Sequence, residues 1–303
     1  MLIIDSHLDL SWNALQWNRD LIQSVYTIRA QEVGTPGKGR AVNTVALPEM
    51  RRGRVAVCFA TVLARSTGRP TPHVDFNSPT QSYAVAQGQL AYYRALELDG
   101  HIRILTDSPT LTAHIDEWNV WEAAGADDEI APPLGFVLTM EGADPIRNPA
   151  QLEEWVQAGL RLLGPTHYGP GRYAGGTGTD SGLTKLGIPL IAEMERLGVI
   201  LDLTHLSDKA FWEALDLYNG PVIASHQNCR TLVPQQRQFD DAQLKEIIGR
   251  DGVIGAAFDI WMLKDGFKAG DSNADVSLEA VVDHIDYVCQ LAGNSDHAAI
   301  GTD

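Results

Sequence analysis

Two side chains able to bind a divalent metal stand two residues apart at the end of the first apolar run, Leu2-Ile3-Ile4-Asp5-Ser6-His7-Leu8-Asp9-Leu10. Strand side chains alternate faces, so His7 and Asp9 point the same way and offer an imidazole beside a carboxylate, half of a metal site. By itself the pair says little, because short His-x-Asp strings arise by chance and a strand end with two hydrogen-bonded polar residues is commoner. Its meaning depends on partners. Five further side chains qualify: Glu141, His167, His205, His226 and Asp303 each close a short apolar run. Three imidazoles and two carboxylates suffice to hold two borderline ions such as Zn²⁺ when one carboxylate bridges them. Two ions about 3.5–4 Å apart hold a hydroxide between them at neutral pH, because coordination lowers the pKa of water. A remaining carboxylate can take that water's proton and pass it to a leaving group, and a remaining neutral imidazole can donate to a developing oxyanion.

The runs that carry these residues read as strands, with amphipathic segments between them. Eight strands are expected at about 2–9, 55–63, 134–141, 160–166, 199–205, 221–226, 253–259 and 298–303, with a ninth short apolar segment, Ile102–Leu105, at the edge. Helices are expected around 18–31, over 82–98, from Ser108 as N-cap with Pro109 following, over 150–158 and 184–197, from Ser207 over 208–218, from Asp240 or Asp241 to about Gly249, and over 277–292. A glycine-rich loop from Tyr168 to Gly182 is too long for a mere connection. Strands that alternate with helices from end to end imply a parallel sheet, and eight of them imply a closed (β/α)8 TIM-type barrel, one domain over residues 1–303. In such a barrel all C-terminal strand ends meet at one face, so the seven side chains converge on one mouth. Ring closure also makes the first and last strands neighbours, so Asp303 is expected close to His7 and Asp9. The other histidines, His73, His101, His114, His284 and His297, fall in loops or helices and are expected at the surface.

A formal charge of −16 argues against nucleic acid or an anionic membrane surface as partner. No apolar run reaches the length of a membrane span, and the start, MLIIDSHLDL, lacks a basic n-region, so a cytoplasmic location is the default expectation. Three scattered cysteines, Cys58, Cys229 and Cys289, support no disulfide framework. The sequence is silent on self-association, and a homodimer is compatible with it.

On these residues the chain resembles the renal (membrane) dipeptidase family of zinc peptidases, among the amidohydrolase-like metal-dependent barrels. The matching stretches are His7-Leu8-Asp9, Glu141-Gly142, Thr166-His167, Leu203-Thr204-His205, Ser225-His226, Gln236-Arg237-Gln238-Phe239-Asp240 and Gly301-Thr302-Asp303, and the segment Leu47–Phe59, with its Arg-x-Gly-x-Val core, resembles the family's second-strand region. They run the length of the chain in the family's order. The resemblance implies two Zn²⁺ ions per chain bridged by Glu141, with His7 and Asp9 completing one site and His205 and His226 the other. It implies that His167 polarises the scissile carbonyl, that Asp303 orients a metal-bridging hydroxide and shuttles its proton, and that Arg237 clamps the carboxylate of a dipeptide. Arg230, four residues after His226, is the second choice for that clamp. The absence of lysine from the strand ends fits a glutamate bridge rather than a carbamylated lysine.

Two departures stand out. The chain stops at Asp303, where the family continues through a further loop and C-terminal helices, and a barrel lacking its last helix would expose apolar surface. The loop with Arg237 reads Gln-Phe where relatives more often have Asn and an aliphatic residue, which bears on substrate detail. The expected activity is hydrolysis of dipeptides with a free C-terminal carboxylate. The alternatives are a related hydrolase of N-acyl amino acids, lactones or cyclic amides, and a non-catalytic barrel kept for metal binding or interaction.

Overall fold

The apolar runs become strands because their β-branched and aromatic side chains can pack on both faces of a covered sheet. The computed structural model describes residues 1–303 except 38, 128, 129, 269 and 275. Among the described residues the strands are β1 (Ile3–Leu8), β2 (Val55–Leu63), β3 (Ile102–Ile104), β4 (Leu134–Glu141), β5 (Leu160–Gly164), β6 (Ile200–Asp202), β7 (Val222–Ala224), β8 (Val253–Ala256) and β9 (Ala298–Ile300). Every neighbouring pair is parallel. The ring closes where β2 runs beside β4, from Val57 opposite Gly135 to Leu63 opposite Glu141, and where β1 meets β9 at Asp5 and Ile300. Eight strands form the ring. β3 stands outside it, paired with Leu134–Phe136 on the edge of β4 whose upper part, Leu138–Glu141, is taken by β5. The expected (β/α)8 barrel with residues 102–105 at its edge is the observed architecture.

Small residues let the ring fill its own interior near the mouth. A Cβ on Gly255 of β8 would lie 2.1 Å from the Ser225 carbonyl oxygen, and one on Gly301 after β9 only 1.9 Å from it. That carbonyl accepts from Ser6 Oγ of β1 at 2.5 Å, and the same hydroxyl reaches Ile300 O at 2.8 Å. The backbone after β7 can therefore turn inward and carry His226 over the mouth.

Several local expectations shift. The helix expected around 18–31 is shorter, Val25–Glu32, and an unexpected one, Leu10–Gln16, precedes it; Asn18 between them sits in the left-handed region at φ 54, and Ser24 caps the second by accepting from Thr27 N. Buried Glu32 ties this excursion together, accepting from Arg19 Nε at 2.8 Å, Arg40 Nη1 at 2.7 Å and Ala41 N at 2.8 Å. A short helix, Leu47–Arg52, leads into β2. Asp107 rather than Ser108 is the cap of Ser108–Ala123, because its carboxylate accepts from Thr110 N. Ser207 and Asp240 cap their helices as expected, Asp240 in a full capping box with Gln243.

His114 and His284 correct the surface assignment, since both are buried. Each ring finds a backbone partner: His114 Nε2 lies 2.9 Å from Ala56 O, and His284 Nδ1 accepts from Cys229 N at 3.1 Å. Gly135 in β4 makes room for the first, as a Cβ there would come within 2.6 Å of His114 Nε2. The three cysteines are free, and no helix among the described residues is long and apolar enough to cross a membrane.

Candidate metal centre

The centre is built where strands run out of partners. His7 lies on β1 and Glu141 is the last residue of β4, while His205 and His226 lie beyond the ladder ends of β6 and β7. The expected strand spans 199–205 and 221–226 were longer than observed for a local reason. Asp202 Oδ1 accepts the backbone N–H of Thr204 at 3.1 Å and of Ser225 at 3.0 Å, groups that a longer ladder would have used. Past that point the chain twists, and His205 takes a left-handed φ of 69. Thr177, from the glycine-rich loop, steadies it: its hydroxyl faces both His205 Nδ1 at 2.9 Å and His205 O at 3.4 Å.

Glu141 Oε1 is the hub. It lies 3.1 Å from His205 Nε2, 3.2 Å from His226 Nε2, 3.6 Å from His167 Nε2 and 3.7 Å from His7 Nε2. Asp9 Oδ1 and Asp303 Oδ1 are 4.0 and 3.7 Å from His7 Nε2. The Asp303 N–H also donates to His7 O at 3.2 Å, so the two chain ends meet as ring closure requires. Three overlapping sets have all their ligand atoms within 4.8 Å of one another: His7, Glu141 and His226; Glu141, His167 and His205; His7, Asp9 and Asp303. Glu141 belongs to two of them.

The donor set fits divalent ions. His7 Nε2, Asp9 Oδ1 and Glu141 Oε2 are buried and have no hydrogen-bond partner, whereas buried polar atoms are ordinarily paired. The electrostatics agree. Burial, together with Glu141 and Asp303, pushes the Asp9 carboxyl well up, and burial pushes Glu141 up to about 7. Burial also drives His205, His226 and His167 well down, helped by Arg237 and neighbouring imidazoles and, at His167, by Arg65. Neutral imidazoles beside crowded carboxylates are what a cation would stabilise. Asp303 differs: burial raises it, but His226, His7 and Arg237 outweigh that and hold it below its ordinary value.

A pH test follows for metal-stripped protein. A carboxyl raised in the folded state gives stability that is present at low pH and lost as pH climbs through the folded value. The Glu141 contribution, read as wild type minus Glu141→Gln in unfolding free energy, is therefore expected to decline between pH 4.5 and about 7. Chemical denaturation across that range checks it, and a flat difference refutes it. Added metal is expected to abolish the decline.

The structure brings all seven expected mouth residues together, and Arg237 beside them. Arg237 is buried; Nη2 donates to His226 O at 2.8 Å and Nη1 to Gln227 Oε1 at 2.7 Å, while Nε has no partner. Arg230 stands apart, ion-paired to Asp208 at 2.6 Å and donating from Nε to Gln238 O. No role is legible in the sequence for Asp202, Thr177, Gln227 and Arg65, nor for Ser225 although it stands in a matching stretch. Their one signal was position, since Asp202 and Ser225 precede His205 and His226 by three residues and one.

Comparison with known proteins bears on the family and the fold. The family model described as membrane dipeptidase (peptidase family M19) matches residues 1–303. An uncharacterized protein of Acinetobacter calcoaceticus from the PQQ-III 3' region is 34% identical over 164 residues, 51% of this chain and 51% of that one. An uncharacterized dipeptidase of Schizosaccharomyces pombe is 27% identical over 269 residues, 85% of this chain and 59% of its own length. The chain thus spans between about half and two thirds of these curated relatives. A solved M19 metallopeptidase, dipeptidase AC, superposes with a TM-score of 0.74 at 25% identity, covering 100% of this chain and 84% of that one. A metallopeptidase of Rhodobacter sphaeroides, liganded with a phosphinate mimic of the dipeptide L-Ala-D-Ala, has the same fold at TM-score 0.74 and 24% identity, covering 100% and 86%. With its whole length matched by the family model, this chain belongs to the membrane dipeptidase family, peptidase family M19.

Proposed function

We propose that the chain is a dinuclear metallo-dipeptidase that binds two Zn²⁺ ions and hydrolyses the amide bond of dipeptides with a free C-terminal carboxylate. The observation that carries this reading is Glu141 Oε1 lying within 3.7 Å of four imidazole nitrogens, with its second oxygen buried and unpartnered. His7 and Asp9 would hold one ion, His205 and His226 the other, and Glu141 both. Bound there, the ions supply a hydroxide nucleophile at neutral pH and charge to stabilise a developing oxyanion.

The protein's own groups do the rest. Burial keeps His167 neutral, so its ring N–H can donate to the scissile carbonyl oxygen. Asp303, ionised in the same surroundings that push Glu141 and Asp9 up, takes a proton at Oδ1 and passes it to the leaving amine. Arg237 has three of its five N–H donors left after Gln227 and the His226 carbonyl are served, enough for a bidentate grip on a carboxylate. Arg230, already paired with Asp208, is less suited to it.

Zinc-reconstituted protein assayed on a dipeptide panel tests the reading. Two bound metals with no turnover of any dipeptide would leave a hydrolase of another substrate. Arg237→Met sharpens the test. Losing a charge-assisted bond worth about 1.5–3 kcal/mol is expected to raise KM for a free dipeptide by about 10–100-fold, with kcat less affected. Its C-terminal amide is expected to show little change. Equal effects on both substrates would favour lactones or cyclic amides.

A further inference from the structure

Behind the ligand imidazoles lies a polar pair that the proposed mechanism does not use. Asp202 is the last residue of β6 and Ser225 the first after β7. Asp202 is buried and forms no salt bridge among the described residues. Its Oδ1 accepts two backbone N–H groups, and its Oδ2 accepts from Ser225 Oγ at 2.5 Å. A serine hydroxyl has one proton and two lone pairs. With the proton committed to Asp202, Ser225 Oγ can only accept from its other neighbours. These are His226 Nδ1 at 2.9 Å, His7 Nδ1 at 3.5 Å and Thr204 Oγ1 at 3.5 Å.

An imidazole that donates from Nδ1 presents its lone pair at Nε2. In both His226 and His7, Nε2 is the nitrogen that faces Glu141 Oε1, at 3.2 and 3.7 Å. The two rings also lie against each other, with centroids 3.8 Å apart. We infer that Ser225 is a positioning residue shared by both metal subsites: one hydroxyl, its proton turned away by Asp202, sets the tautomer and aim of one ligand from each side of Glu141. This rests on the reading of His7, Glu141 and His226 as ligands. The 2.9 Å arm to His226 is a good hydrogen bond and the 3.5 Å arm to His7 a long one, so the subsite of His205 and His226 depends on Ser225 more.

Removing the hydrogen-bond partner of a metal-ligating histidine typically weakens metal binding by about 10–100-fold. Ser225→Ala is expected to show that loss in one of two zinc-binding steps and a smaller loss in the other. The measurement is a titration of metal-stripped protein with Zn²⁺ against a chromophoric chelator, with Co²⁺ absorption reporting ligand geometry. Ser225→Thr, which keeps the hydroxyl, is expected to bind near the wild-type level. Asp202→Asn is expected to weaken binding as well, because its amide can donate into Ser225 Oγ and free the hydroxyl proton to clash with Nδ1–H. This second variant carries the test should Ser225→Ala fail to fold. Wild-type affinity in either Ser225→Ala or Asp202→Asn overturns the relay, and so does a Ser225→Thr variant as weak as alanine. Failure of the wild-type protein to take up metal would instead overturn the metal-centre reading, and this inference with it.

Discussion

Glu141→Gln is expected to strip both metals from the protein and take the activity with them. The substitution keeps volume and shape at a buried strand end, so the barrel should still close. It replaces an anion with an amide whose nitrogen must point either at an ion or at imidazole lone pairs 3.1–3.7 Å away. Glu141 sits in two of the three sets of ligand atoms, so the ion beside His205 and His226 would lose its one proposed carboxylate and the ion beside His7 and Asp9 one of two. The loss in affinity should exceed the roughly 100-fold ceiling seen when only a second-layer partner is removed. Metal analysis after dialysis and kcat/KM on a dipeptide read both effects. A variant that retains two metals, or keeps kcat/KM within tenfold, ends the proposal that Glu141 bridges. The metal-free variant is expected to be more stable than metal-free wild type above pH 7, since it no longer ionises a group whose pKa burial raises to about 7.

That Glu141 and four histidines would meet could be read from the sequence, because a parallel barrel sends every C-terminal strand end to one face whatever the loops do. His7, His167, His205 and His226 all answer to that rule. The lengths of β6 and β7 did not, because they depend on a carboxylate two strands share: Asp202 takes the N–H groups of Thr204 and Ser225, and a pattern of apolar residues carries no trace of that. For the same reason Ser225 reads in the sequence as an ordinary polar residue. Arg237 could be picked out by type and motif, but its burial comes from Gln227 and the His226 carbonyl, contacts between segments that only the folded loop brings together. His114 and His284 misled because imidazole is amphipathic, and on a helix facing the barrel its ring can be buried once one nitrogen finds a backbone group. The excursion after β1 was illegible as two helices because what holds it, Glu32 with Arg19 and Arg40, is an ionic knot without periodicity.

Asp303→Asn is expected to lower kcat by about 10²–10⁴-fold, the usual worth of a general acid–base group, while both metals stay bound. Three carboxylates crowd this mouth and their surroundings sort them. Asp9 and Glu141 are pushed up and need a cation to ionise, whereas Asp303 is held down by His226, His7 and Arg237. A carboxylate held ionised, whose Oδ1 lies 3.7 Å from His7 Nε2, is placed to carry protons. Its atoms also lie within ligand range of His7 and Asp9, so a second role has to be told apart from the first. Asparagine keeps the size and one oxygen but cannot take a proton. If Asp303 is chiefly a metal ligand, the variant should lose one ion and its zinc titration should show a single step. If it is the proton carrier, two ions remain, KM moves little and kcat falls, as expected here. A variant with two metals and kcat within tenfold of wild type would refute both roles and leave the proton transfer without a residue, since Asp9 and Glu141 are then fully engaged as ligands.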